Sequence, residues 1–303
     1  MIKVIVIVGP TGVGKSDFSI GLAKALNGEI ISGDSVQIYK GFDIGSGKIT
    51  NEEMDGIKHY GIDILDSKER YSVKEFQKYV RDKIKEISDR KKTVIIVGGT
   101  GLYIKACLYD YEFKDEEIDK SVFEKYNAMT NEELMDYLKK IDSSEATKIH
   151  VNNRKRLIRA CIIYDTHKVS KGDVIKSQKH QLLYDAYIVG CTMDRELLYD
   201  RINKRVLKMI DDGLEKEVRS LTSCGVSFDD QAMSAIGYKE WKDYLNDQEE
   251  LEEIVNKIQS NSRKFARRQY TFFNNQLDVN WINMNDDNEK IKIVDSLKEF
   301  LNG

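Results

Sequence analysis

Proline is almost missing from this chain. At ordinary usage of about 5% a protein of 303 residues would carry about 15 prolines, and this one has only Pro10. A proline-rich linker, a collagen-like segment and a polyproline recognition tract are therefore excluded. Few helix breakers are left in the sequence, so a helix-rich fold is expected. Cysteine is also scarce. Cys107, Cys161, Cys191 and Cys224 are far apart, with no C-x-x-C and no histidine at ligand spacing, which argues against a disulfide framework or a zinc site and for ordinary thiols in a reducing compartment. No apolar run approaches the roughly 18 residues that a membrane span requires, and Val4–Val8 is too short for a signal-peptide core. A cytoplasmic protein is expected. Charge of one sign is lacking too: the net charge is −3, so the whole-molecule field does not mark a nucleic-acid binder, and local clusters must make that case. With 41% hydrophobic and 33% charged residues, the composition is that of a globular protein with a packed core.

The apolar residues fall into short blocks. Ile2–Val8 is a continuous β-branched run ending in glycine, which suits a strand buried on both faces of a parallel sheet. Similar blocks recur at Glu29–Ile31, Ile62–Leu65, Thr93–Val97, Ala186–Cys191 and Val279–Ile282, with helical patterns such as Ser72–Ser88 and Asp194–Asp212 between them. Strand and helix in alternation predict an α/β core with parallel strands and right-handed crossovers. The alternation stops between about Tyr111 and Tyr184, where Asn131–Lys140 and Asn153–Tyr164 read as helices and the polar, lysine-rich stretch Asp165–Lys179 reads as a mobile loop. The expected organisation is a core of residues 1–112 and 185–303 carrying a helical insertion at 113–184. A long helix is expected over Gln248–Phe273, where Leu251, Ile254, Val255, Ile258 and Phe265 share one face.

Gly9-Pro10-Thr11-Gly12-Val13-Gly14-Lys15-Ser16 fits G-x-x-x-x-G-K-[ST] and stands where that motif has meaning, between a buried strand and a helix. Its glycines let backbone N–H groups converge on a phosphate, and the helix N-terminus adds partial positive charge. Lys15 is placed to reach the distal phosphates and the Ser16 hydroxyl to bind Mg²⁺, the one cofactor expected. A nucleoside triphosphatase usually adds an acidic residue at the end of an interior strand to help hold that ion. Here Thr93–Val97 runs instead into Gly98-Gly-Thr-Gly101, which lowers the case for a hydrolytic motor and leaves open a small-molecule kinase using ATP.

Three further features admit two readings each on pattern alone. Asp34, after the second strand, is a turn former or a group facing the phosphates across the crevice where strand ends meet. Arg201, Lys204, Arg205 and Lys208 follow i, i+3, i+4, i+7 spacing and form one basic stripe, either solvated or facing a phosphate. Arg263, Lys264, Arg267 and Arg268 span about 140° of the long helix, and Arg154, Lys155, Arg156 and Arg159 cluster in the insertion; such groups solubilise a face or bind RNA.

The ordered set of motifs is more specific than any member. The phosphate loop, Ser32-Gly-Asp-Ser-Val-Gln-Ile-Tyr39, Asp43-Ile-Gly-Ser-Gly-Lys48, Gly98-Gly-Thr-Gly-Leu-Tyr103, His150-Val-Asn-Asn-Arg-Lys-Arg-Leu-Ile-Arg-Ala160, Arg201–Met209, Gly213–Arg219, Gln231–Glu240 and Ala266–Phe272 follow in that order. Together they resemble the tRNA dimethylallyltransferases, also called tRNA isopentenyltransferases, of the bacterial type without a zinc finger. Two departures are visible: the family's His-Pro-Asn-Asp reads His150-Val-Asn-Asn, and its Pro-His-His reads Lys58-His-Tyr.

The resemblance implies a P-loop NTPase-like α/β core with an insertion facing tRNA. It implies that Gly9–Ser16 holds dimethylallyl diphosphate, with Mg²⁺ at Ser16, and that the five-carbon group passes to the exocyclic amine (N6) of the adenosine 3′ of the anticodon, in tRNAs reading codons that begin with U. Asp34 is then the proton acceptor, and Thr11, Lys15 and Arg205 stabilise the departing diphosphate. The residues implied to meet tRNA are Asp34, Ser35, Val36, Gln37, Thr100, Lys155, Arg156, Leu157, Ile158, Arg159, Gly237, Tyr238, Lys239, Arg263, Arg267, Arg268 and Gln269. No membrane and no obligate protein partner is expected; a monomer is the default. A non-catalytic RNA adaptor would need no Asp34.

Overall fold

The structure, a computed structural model, describes residues 1–111, 113, 120–167 and 180–303. The β-branched blocks form one parallel sheet. Its strands are β1 (Lys3–Val8), β2 (Gly28–Ser32), β3 (His59–Tyr60), β4 (Thr93–Gly98), β5 (Asp185–Thr192) and β6 (Asn280–Asn283), in the order β3-β2-β4-β1-β5-β6. β1 lies between β4 and β5, pairing Val6 with Ile96 on one side and Ile188 on the other. Val4 to Val8 are fully buried, because this strand is covered on both faces. At about 1.5–3 kcal/mol for each buried aliphatic side chain, burial of Val4 to Val8 contributes on the order of 10 kcal/mol.

Among the described residues, the helices are α1 (Lys15–Ala25), α2 (Val73–Asp89), α3 (Gly101–Leu108), α4 (Lys120–Asn127), α5 (Asn131–Ile141), α6 (Ser143–Ala146), α7 (Arg154–His167), α8 (Arg195–Asp211), α9 (Leu214–Ser223), α10 (Trp241–Tyr244), α11 (Leu251–Gln276) and α12 (Asp287–Asn302). Their starts are written in the sequence. Ser72 and Glu75 exchange side-chain to backbone hydrogen bonds in a capping box at the head of α2, and Asp194 accepts from the N–H groups of Glu196 and Leu197 at the head of α8. Phe76, Val80, Ile84 and Ile87 then bury one face of α2.

The third strand differs from expectation. Ile62–Leu65 is not a strand; the pairing lies just upstream at His59–Tyr60, and left-handed backbone at Gly61 and Asp63 ends it. Leu65 keeps only an isolated bridge to Tyr39.

The chain divides into two compact units, Met1–Tyr109 with Leu182–Gly303, and Asp110–Gln181. The second is helical where described, with a core of Tyr126, Leu134, Leu138, Ile149, Leu157, Ile158 and Cys161. Two corrections follow. Leu157 and Ile158, expected against RNA, are buried in this core, and only their neighbours Lys155, Arg156 and Arg159 are exposed on α7. Asp165, expected in a loop, lies inside α7, where its carboxylate accepts from the hydroxyls of Tyr126 and Tyr137. Residues 168–179 of that expected loop lie outside the described residues.

Candidate active site

β1, β2 and β4 are parallel, so the loops leaving them open on the same edge of the sheet. The phosphate loop leaves β1 and enters α1, with left-handed Gly14 as its N-cap. Lys15 Nζ donates to the Pro10 carbonyl at 2.7 Å, folding the side chain over the loop. Val13 is buried, and Ser16 stands exposed on the first turn of α1.

Two long-range contacts hold this loop. The N–H of Thr11 donates to Gln269 Oε1 of α11 at 2.9 Å, and Gln269 Nε2 donates to the Gly99 carbonyl at 2.9 Å, so one amide ties the loop after β1 to the loop after β4. Arg205 of α8 donates to Thr11 Oγ1 at 3.1 Å and reaches the Ser46 carbonyl at 3.5 Å. Leu198, Ile202 and Val206 bury the inner face of α8, which aims Arg205 inward. Two more members of the basic stripe are paired at the rim, Lys204 with Asp200 and Lys208 with Asp212.

Asp34 follows β2. Its Oδ1 accepts from the N–H groups of Val36 at 2.8 Å and Gln37 at 3.3 Å, so it is a turn former. It also lines the same cavity as Lys15 and Arg205 and interacts electrostatically with both, so the two readings of this residue coexist. Among the described residues Oδ2 takes no hydrogen bond. Beside it Ser35 is 3.4 Å from Thr100, and Gln37 spans from the Ser32 hydroxyl to the Gly47 carbonyl, both at 3.2 Å. The cavity is about 790 Å³.

The glycines that end β4 are steric. A Cβ on Gly98 would lie 2.5 Å from the Gly33 carbonyl oxygen, so the ends of β2 and β4 approach too closely for any side chain there. A carboxylate cannot occupy that position, and Asp34 is brought close instead.

Several residues expected to meet RNA are buried or already hydrogen-bonded. Gln269 is 5% exposed and spends both amide groups on the loops. Gly237 is buried against the Gly45 carbonyl, and Tyr238 is buried with its hydroxyl donating to Glu217 at 2.7 Å and accepting from the Ser46 N–H at 3.1 Å. Gln269, Gly237 and Tyr238 are therefore structural supports of the site, and Gln269 also lines the cavity. Arg263 is half-buried and donates to Asn203, whereas Lys239, Arg267 and Arg268 are exposed.

The pattern missed Lys48 and Glu217. Lys48 is only 5% exposed in its side chain and binds the Tyr39 carbonyl at 2.8 Å, Asp43 at 2.6 Å and Asp63 at 2.5 Å. Both residues stand inside motifs that were legible; the loop amides that Glu217 accepts, more than 170 residues away in the chain, were not.

Burial lowers the pKa of Lys15 from 10.5 to about 8, and burial also lowers that of Arg205, with Asp34 opposing both shifts. Lys15 is a cation below this value and loses its charge as pH rises through it. Affinity for a diphosphate should therefore fall as pH rises past about 8. In Lys15→Arg, which stays charged, that fall should be absent, and the difference separates Lys15 from the ligand's own titration. Calorimetric titration with magnesium diphosphate at several pH values checks this; parallel profiles in the two proteins would refute it.

Known proteins are similar to this chain along most of its length. The family model described as IPP transferase matches residues 37–276. A tRNA dimethylallyltransferase of Bacillus anthracis is 49% identical over 296 residues, covering 96% of this chain and 94% of that protein. A tRNA isopentenylpyrophosphate transferase from Staphylococcus epidermidis superposes with a TM-score of 0.74 at 42% identity, covering 100% of this chain and 99% of that one. A eukaryotic dimethylallyltransferase, crystallised acting on tRNA, superposes with a TM-score of 0.82 at 28% identity over 94% of this chain and 74% of its own. With Lys15, Arg205 and Asp34 meeting at one edge of a parallel sheet, and with this likeness along its length, the chain belongs to the IPP transferases, the tRNA dimethylallyltransferase family of prenyl-transferring enzymes.

Proposed function

We propose that this enzyme transfers the dimethylallyl group of dimethylallyl diphosphate to N6 of the adenosine 3′ of the anticodon, in cytoplasmic tRNAs that read codons beginning with U. The observation that supports this best is the convergence of Lys15, Thr11, Arg205 and Asp34 on one cavity. Cleavage of the allylic carbon–oxygen bond leaves the electron pair on diphosphate, and the cationic donors stabilise that charge. Lys15 would leave the Pro10 carbonyl for the distal phosphate. Arg205 suits a bidentate grip. The adenine amine is a poor nucleophile because its lone pair is conjugated with the ring; Asp34 accepts its proton as the new carbon–nitrogen bond forms.

The metal-binding residues fit a phosphate-held ion. Ser16 lines the cavity, and the described residues contain no cluster of three metal-ligating side chains, so Mg²⁺ would sit on Ser16 and phosphate oxygens, as that ion commonly does. It supplies neutralisation of the leaving diphosphate. Exposed Lys239, Arg267 and Arg268 on one unit, and Lys155, Arg156 and Arg159 on the other, would position tRNA through its phosphates, with the target base unstacked into the cavity near Asp34, Ser35 and Gln37.

The test is incubation with unmodified tRNA, Mg²⁺ and either dimethylallyl diphosphate or ATP, followed by mass analysis. A five-carbon gain on adenosine with the first donor alone is expected. No gain with either, alongside phosphorylation of small metabolites by ATP, would overturn the proposal in favour of a kinase.

A further inference from the structure

The guanidinium of Arg205 rests on a loop, and one carboxylate accepts three successive amides of that loop. Asp43-Ile44-Gly45-Ser46-Gly47-Lys48 has no regular structure of its own. Glu217, on α9, accepts the N–H groups of Asp43 at 3.1 Å and Ile44 at 2.7 Å on Oε2, and that of Gly45 at 3.2 Å together with the Tyr238 hydroxyl at 2.7 Å on Oε1. Tyr238 also accepts from the Ser46 N–H. Four successive amides of the loop are thus held by this carboxylate and its tyrosine. The far end of the loop is the wall against which Arg205 packs: Ser46 offers its carbonyl, and a Cβ on Gly47, where φ is +58°, would lie 1.6 Å from a guanidinium nitrogen. Nothing but glycine leaves room for the arginine in this pose.

We infer that Glu217 is a positioning residue for prenyl transfer, which holds the 43–48 loop so that the loop in turn fixes the Arg205 guanidinium on the diphosphate. This rests on the reading above that Arg205 grips a diphosphate. The mechanical chain runs from the Glu217 carboxylate through loop amides to the Ser46 carbonyl and the Gly47 Cα, and ends at Arg205, whose other nitrogen meets Thr11 of the phosphate loop. In Glu217→Gln an amide NH₂ replaces one acceptor oxygen and confronts N–H groups that need an acceptor. The loop loosens from its hanger, and the arginine loses its backstop although no residue in the cavity has changed.

The closing experiment is a double-mutant cycle read by calorimetric binding of magnesium diphosphate, with thermal unfolding as a check on folding. Glu217→Gln is expected to weaken binding about tenfold, and Arg205→Gln by at least as much. Their combination should bind no more than about threefold worse than Arg205→Gln alone, because the first change acts only through the arginine. A carboxylate that merely stabilises the fold would give losses that multiply. Gly47→Ala approaches the same contact from the other side without touching the Glu217 bonds; it should show a similar loss and the same lack of additivity with Arg205→Gln, and it serves if Glu217→Gln unfolds. Wild-type affinity in both Glu217→Gln and Gly47→Ala, or fully multiplying losses, would overturn the inference. Failure of the wild-type protein to bind magnesium diphosphate would overturn the reading beneath it as well.

Discussion

Replacing Asp34 with alanine should slow prenyl transfer by about 10²-fold or more, the usual range for a general base, with little loss of tRNA affinity. Its carboxylate also accepts two backbone N–H groups of the turn it caps, so alanine removes both a reactive carboxylate and a local hydrogen-bonded brace. Asn separates the two. Asp34→Asn keeps an oxygen for Val36 and Gln37 but cannot take the proton, so it should restore the turn and leave the reaction slow. Single-turnover transfer at saturating tRNA is the measurement. Near wild-type rates in Asp34→Asn would reduce this residue to a turn former.

Lys15→Ala is the second large effect, with an expected loss of about 10² to 10³ in the chemical step, comparable to removal of one preorganised donor at a developing anion. The magnitude follows from where the cation sits. Burial has already stripped it of much of its water, as its lowered pKa records, so its attraction to a phosphate is screened less than at the surface. Arg205 stays beside it and keeps part of the leaving-group stabilisation, which is why the loss should stop short of abolishing turnover. Donor affinity should fall as well, since diphosphate is bound before the bond breaks. A rate within about threefold of wild type would show that the loop amides and Arg205 suffice.

Most of the fold could be read from periodicity. β1, β2, β4 and β5 stand where continuous β-branched blocks predict buried parallel strands, and α2, α8 and α11 start and stop within a few residues of their predicted bounds because caps and apolar spacing are local signals. The short strand at His59–Tyr60 was not legible. Its two residues carry no pattern of their own and are extended because they pair with Ile30 and Ile31. The same contrast divides the site. The phosphate loop is contiguous and declares itself. The supporting roles of Gln269, Tyr238 and Glu217 depend on partners more than one hundred and fifty residues away in the chain, which motif membership does not reveal. Leu157 and Ile158 were misplaced for a simpler reason: two apolar residues inside a basic cluster belong to the buried side of the same helix.

The sequence by itself determined the parallel α/β core, the phosphate loop and the small set of cations available to it, because strand burial, glycine turns and helix caps are all encoded within a few neighbouring residues. Its near-absence of proline proved uninformative about the site apart from Pro10, whose carbonyl holds Lys15. Only the tertiary structure decided which acid and which arginine face that loop and what keeps them there. Asp34 reaches the cavity because Gly33 and Gly98 let two strand ends touch, and Arg205, aimed inward by the buried face of its helix, meets a loop whose amides Glu217 holds. Such contacts join segments through packing and hydrogen bonds across space, and no local pattern in the chain can encode them.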